Sequence, residues 1–214
     1  GFGLSYTTFG IQSGMETTVD GCMFRIRVRN TGAFAAKEVV QVYVGAPQGQ
    51  LGQPSRALAA FAKTRCLEPG EEQELVIEMK ADMLASYDDS GVTGHKSCYV
   101  LEAGSYRFYV GTDVRSAEFA GSIEVKETKV IGQCTEALAP VEAYERMKPL
   151  EEQGGKFSVS WEQTPLRTYS MTKRSMEEQK KEIPYAGNKG FKLGDVYDKK
   201  VSMEDFIGQL SDED

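Results

Sequence analysis

The run Met23-Phe24-Arg25-Ile26-Arg27-Val28-Arg29-Asn30 decides the fold class. Phe24, Ile26 and Val28 fall on one side of an extended chain and Arg25, Arg27 and Arg29 on the other. That is the period-two pattern of a strand with one face in a core and one in water. Asn30-Thr31-Gly32 then supplies a turn. Further out, Val39 to Val44 reads V-V-Q-V-Y-V, β-branched and apolar enough for a central strand. Leu58 to Arg65 is a weaker strand, diluted by alanine, and Leu67-Glu68-Pro69-Gly70 is turn chemistry. Glu74 to Met79 alternates again, with Leu75, Ile77 and Met79 inward, and Ala81 to Tyr87 predicts one or two helical turns. Glu102-Ala103-Gly104-Ser105 is a turn, Tyr106 to Val110 a strand, and Glu118 to Val125 a strand bent at Ala120-Gly121. About seven short strands at this spacing, with almost no helix between them, predict an all-β sandwich.

The composition changes near residue 127. Residues 1–126 carry the strands, and residues 127–214 are rich in lysine and glutamate and predict a mixed helical and irregular extension. Ala139 to Lys148 reads as a short helix with Pro140 in its first turn and Val141, Tyr144 and Met147 at three-residue spacing. Phe157 to Trp161 alternates as one further strand, and Ser175 to Glu182 reads as a polar helix closed by Pro184. Ser202-Met203-Glu204-Asp205 has the form of a capping box before Phe206, Ile207 and Leu210. A helix opening there, and a glycine rather than a methionine at position 1, are what a longer natural chain would leave.

Composition excludes several function classes. The net charge is −7, from 25 basic and 32 acidic residues, with no basic stripe, so nucleic acid is not an expected partner. No apolar run exceeds Ala57–Ala62, far short of a membrane span. Cys22, Cys66, Cys98 and Cys134 lie too far apart for a Cys-x-x-Cys pair, and His95 is the single histidine. They read as buried or half-buried thiols of a protein in a reducing compartment, the cytoplasm of a bacterium, with no metal and no cofactor.

Catalytic motifs are missing. The chain has no nucleophile elbow, phosphate loop or dinucleotide fingerprint. Glu71-Glu72 follows a Pro-Gly turn and reads as solvated; Tyr87-Asp88-Asp89-Ser90-Gly91 reads as a turn or a contact between domains. His95 sits in a Gly-containing loop expected to be exposed. Trp161 and Tyr169 are read as anchors of the extension on a core, with a sugar-stacking platform as the alternative. Lys173-Arg174 and Lys180-Lys181, flanked by glutamates, form a solvated mixed-charge face.

A set of ordered motifs carries a resemblance. Gly1-Phe2-Gly3-Leu4-Ser5-Tyr6-Thr7-Thr8-Phe9 is followed by Val28-Arg29-Asn30-Thr31-Gly32 and Glu38-Val39-Val40-Gln41-Val42-Tyr43-Val44. Leu67-Glu68-Pro69-Gly70-Glu71, Ser86-Tyr87-Asp88 and Leu101-Glu102-Ala103-Gly104-Ser105-Tyr106 with Val110-Gly111 complete it. Together they resemble the fibronectin type III-like domain of glycoside hydrolase family 3 β-glucosidases over residues 1–126, departing from it only at Phe61-Ala62-Lys63. The stretch from Leu193 to Asp214 is similar to the start of that family's barrel domain, which implies the rearranged bacterial order of α/β domain, β-sandwich, barrel. The resemblance implies an immunoglobulin-like sandwich that serves as a non-catalytic accessory module, holding catalytic domains of the same parent chain together. The family's aspartate nucleophile and glutamate acid/base have no counterpart here, so no catalytic residue is carried over and this stretch is expected to be inactive. The residues expected to meet neighbouring domains are Leu4, Tyr6, Tyr87, Asp88, His95 and Trp161. Two other readings stand beside this one. One is an oligosaccharide-binding module using Tyr99, Tyr106 and Tyr109; the other is a free-standing adhesion module.

Overall fold

The computed structural model describes residues 5–136, 138–179 and 182–211. By internal contacts the chain forms two compact units, one running to Arg167 and the other from Thr168. The first is built from twelve strands: β1 (Phe9–Thr17), β2 (Gly21–Asn30), β3 (Val39–Gly45), β4 (Ala57–Lys63), β5 (Glu72–Lys80), β6 (Ser86–Asp88), β7 (Cys98–Leu101), β8 (Gly104–Gly111), β9 (Glu118–Val125), β10 (Lys129–Gln133), β11 (Glu145–Glu152) and β12 (Lys156–Gln163).

Seven of these strands make the expected sandwich. One sheet runs β1-β2-β5 and the other β4-β3-β8-β9, all antiparallel. The alternation in β2 does what its sequence requires: Phe24, Ile26 and Val28 are fully buried, while the arginines between them face solvent. Phe24 meets Phe108 of β8 edge to face at 5.4 Å, so the pair bridges the two sheets. The outward arginines lie across from glutamates of the flanking strands, Arg25 with Glu16 at 3.4 Å and Arg29 with Glu72 at 3.6 Å. These exposed pairs fix little energy but keep the outer face polar. The bend expected at Ala120-Gly121 is a register shift between β8 and β9. Tyr106, at the start of β8, is buried and donates its hydroxyl to the Glu102 carbonyl four residues upstream, the tyrosine-corner arrangement of such sandwiches. Burial, helped by the charge of Glu102, pushes its phenol up to about 12.

Asn30-Thr31-Gly32 is more than a turn. Asn30 is fully buried, and its amide ties the N-terminal segment to the loop before β5, accepting from Thr7 Oγ1 at 2.8 Å and donating to the Leu67 carbonyl at 2.8 Å. Gly32 sits against that segment. A Cβ there would lie 2.1 Å from Thr7 Oγ1 and 2.6 Å from the Thr8 nitrogen. Gly32→Ala is therefore expected to cost about 1–3 kcal/mol of overpacking, read as a lower midpoint in guanidinium denaturation.

Beyond the sandwich lie a small sheet, β10-β7-β6, and a two-stranded hairpin, β11-β12. Several local readings change here. Ala81 to Tyr87 gives only one 3-10 turn, Ala81–Leu84, and Ser86–Asp88 is a strand. Residues 139–144 are not helical, and the chain from Glu145 is β11. The three-residue spacing of Val141, Tyr144 and Met147 is outweighed by the ladder from Glu145↔Gln163 to Glu152↔Lys156, which satisfies the backbone strand to strand. The strand read at Phe157 to Trp161 is β12. Cys22 and Cys98 are buried, but Cys66 is exposed, and all four thiols are free. Burial raises the Cys22 thiol to about 11.

The second unit holds three short helices, α1 (Met171–Glu177), α2 (Leu193–Tyr197) and α3 (Met203–Ile207). α1 begins four residues before the expected Ser175 because Ser170 caps it, accepting from the Lys173 amide. Lys180 and Lys181 lie outside the described residues. Ser202 caps α3 through the Asp205 amide, as its motif requires. Buried Gln209 holds this unit together, accepting from the Phe191 amide at 2.8 Å and donating to the Phe191 carbonyl at 2.6 Å.

Candidate interaction site

β6 ends in Asp88, whose side chain is fully buried. Its Oδ1 accepts from the amides of Ser90, Gly91 and Val92 and from the Ser90 hydroxyl, at 2.6–3.2 Å. Its Oδ2 accepts from the Thr93 amide at 2.9 Å and the Thr93 hydroxyl at 2.6 Å. The Ser97 amide returns to the Asp88 carbonyl at 2.7 Å, closing the loop. Gly91 takes φ of +82° in the first bend, a conformation only glycine adopts without strain. Burial opposes the charge on Asp88, but the hydrogen bonds from Thr93, Gly91 and Ser90 outweigh it and hold the carboxyl below its ordinary pKa.

The next residue, Asp89, receives the fork of Arg146 from β11. Arg146 Nη2 lies 3.0 Å from Asp89 Oδ1, with Nη1 on Oδ2, and Nε donates to Glu162 Oε1 of β12 at 2.7 Å. Lys148 Nζ reaches Glu162 Oε2 at 3.0 Å and donates to the Gln50 carbonyl at 3.2 Å. Asp89 first, with Glu162, holds the guanidinium charged. Burial disfavours ionised Glu162, yet the bonds from Arg146 and Lys148 keep its carboxyl below the usual range. One face of the hairpin thus clips onto the sandwich side through charge. Its opposite face carries Met147, Phe157, Val159 and Trp161, all exposed, with Met147 directly across from Trp161.

Tyr87 of β6 and Tyr99 of β7 are cross-strand partners, their rings 5.4 Å apart. With Tyr144, Asp89, Arg146 and Thr164 they line a cleft of about 410 Å³. A second cleft of about 420 Å³, reaching Gln53 and Met147, shares Tyr87, Asp89 and Arg146 as its wall.

The residues expected to meet other domains fall as follows. Leu4 lies outside the described residues, and Tyr6 is almost fully exposed. Tyr87 and Asp88 share β6, and His95 is exposed on the loop that Asp88 winds. Trp161 is exposed on the hairpin clipped to Asp89, so it is not the anchor expected of it. Tyr169, in the second unit, is covered by the Arg174 guanidinium at 3.8 Å. The proposed row of Tyr99, Tyr106 and Tyr109 does not exist. Tyr106 is core, Tyr99 belongs to the small sheet, and Tyr109 packs on Phe119 under Arg56. Arg146 and Glu162 were not singled out from sequence; a charge clip between residues 57 apart leaves no local pattern. Among the described residues there is no cluster of three metal-ligating side chains, and no helix is long and apolar enough to cross a membrane.

An antiparallel sandwich of three and four strands with a tyrosine corner defines the class, and residues 38–114 match the family model of the fibronectin type III-like domain. The chain thus carries a fibronectin type III-like domain at residues 38–114, and along its whole length it is similar to glycoside hydrolase family 3 β-glucosidases. It is 44% identical to the β-glucosidase of Ruminococcus albus over 100% of this chain and 22% of that protein. The solved β-glucosidase of Paenibacillus barengoltzii is 43% identical, with a TM-score of 0.80, over 100% of this chain and 24% of that one. The β-glucosidase 3B of Thermotoga neapolitana, solved with glucose, is 39% identical over 60% of this chain and 17% of its own, with a TM-score of 0.53. The chain therefore spans about a quarter or less of the length of these relatives, and some of them share all of it while others match 60%.

Proposed function

We propose that this chain is a non-catalytic accessory module that holds the catalytic domains of a longer β-glucosidase chain together, in the rearranged order with the barrel following it. The observation that carries this is the β11-β12 hairpin. Its charged face is sealed by Asp89, Arg146 and Glu162, while Met147, Phe157, Val159 and Trp161 stand exposed on the other. A contiguous apolar face beside a satisfied polar one is the signature of a surface that another domain covers. Whole-chain similarity to β-glucosidases of Ruminococcus albus and Paenibacillus barengoltzii, hairpin included, supports a neighbour in the same polypeptide. The four free thiols support a cytoplasmic setting.

The test is the double variant Val159→Asp with Trp161→Asp. The chain alone keeps its melting temperature, because both side chains are already in water, and turns over no aryl β-glucoside. In a full-length β-glucosidase carrying this module, the same pair lowers the melting temperature by several degrees and reduces glucosidase activity. An unchanged full-length enzyme, or turnover by the chain alone, overturns the reading.

A further inference from the structure

We propose that the cleft lined by Tyr87, Tyr99 and Tyr144 binds a gluco-configured pyranose ring of an oligosaccharide. The three rings are each exposed, at 39%, 47% and 54%, and line one concavity rather than being scattered. Its volume of about 410 Å³ suits a small ligand. A pyranose whose hydroxyls are all equatorial presents two faces of C–H bonds and a rim of hydroxyls. The faces match aromatic rings, whose electron-rich surfaces attract C–H hydrogens. The rim matches planar charged groups, and here Asp89 and Arg146 stand in the same cleft, each fixed by the other in a two-pronged pair.

Thr164, in the wall of the same cleft, donates its amide to the Tyr144 carbonyl at 2.9 Å and so fixes the backbone that carries the third tyrosine. The site goes beyond the accessory role and does not depend on it.

Titration of the chain with cellotetraose, followed by calorimetry and by amide shifts, is expected to show saturable millimolar binding. Tyr87→Ala and Tyr99→Ala each weaken it about tenfold, the loss of roughly one stacking contact. Tyr144→Ala, outside the small sheet, does the same and guards against misfolding of β6 and β7; circular dichroism checks the fold of each. Val159→Asp with Trp161→Asp, on the far face of the hairpin, leaves sugar binding intact, so this test and that of the accessory role fail separately. Absence of binding at millimolar sugar overturns the proposal. So does binding that survives all three tyrosine variants. In a full-length β-glucosidase, a cleft covered by flanking chain and silent to sugar also overturns it.

Discussion

Asn30→Ala is expected to lower the unfolding free energy by about 3–4 kcal/mol, measured by urea denaturation with circular dichroism. The side chain uses its full capacity. Oδ1 accepts from Thr7 Oγ1 at 2.8 Å and from the Gly32 amide at 3.1 Å. Nδ2 donates to the carbonyls of Phe34 and Leu67, both at 2.8 Å. Alanine removes all four bonds, each worth about 0.5–1.5 kcal/mol net, and leaves the buried Thr7 hydroxyl without its acceptor, while the Leu67 carbonyl keeps the Ala36 amide. Asn30→Asp fares no better, because a carboxylate cannot donate to two carbonyl oxygens. A drop below 1 kcal/mol for Asn30→Ala would show that the segment through Thr7 rearranges without it.

Asp88→Ala is expected to cost about 3 kcal/mol at neutral pH, since one carboxylate gathers the donors of Ser90, Gly91, Val92 and Thr93. The effect depends on pH, and the sign follows from the lowered pKa. Folding favours the ionised form, so the stabilisation is complete above the unfolded-state value of about 3.9 and is lost as pH falls through the lower folded value. The gap between the parent chain and Asp88→Asn should therefore be full at pH 7 and shrink below about pH 4, tracked by denaturant midpoints. A gap that is constant with pH would mean that shape rather than charge holds the loop.

The strands that sequence revealed are those whose partner information is local. β2 and β5 alternate, and the predicted inward residues, Phe24, Ile26 and Val28 with Leu75, Ile77 and Met79, are buried. β1 is interrupted by Gly10 and Gly14 and becomes a strand only because β2 offers it a continuous ladder, Phe9↔Asn30 to Thr17↔Cys22. β11 reads E-R-M-K-P-L-E-E, mostly helix formers, and is overruled by β12. β6, β7 and β10, at three to five residues, are too short for any period to show. The same division holds for the site. The Asp88 turn was legible because its donors follow it within five residues. The Asp89–Arg146 clip and the tyrosine cleft were not, because their parts come from segments far apart in sequence.

The clipped hairpin has one more consequence. Two strands without a core of their own are marginal in water, and what fastens these is largely ionic, hence weakened by salt. In the solitary module the hairpin is the cheapest part to open, while the sandwich behind it stays shut. A neighbour seated on Met147 and Trp161 would turn that private fluctuation into a shared one, so that the last step of folding this module and the first step of assembling its enzyme become the same event.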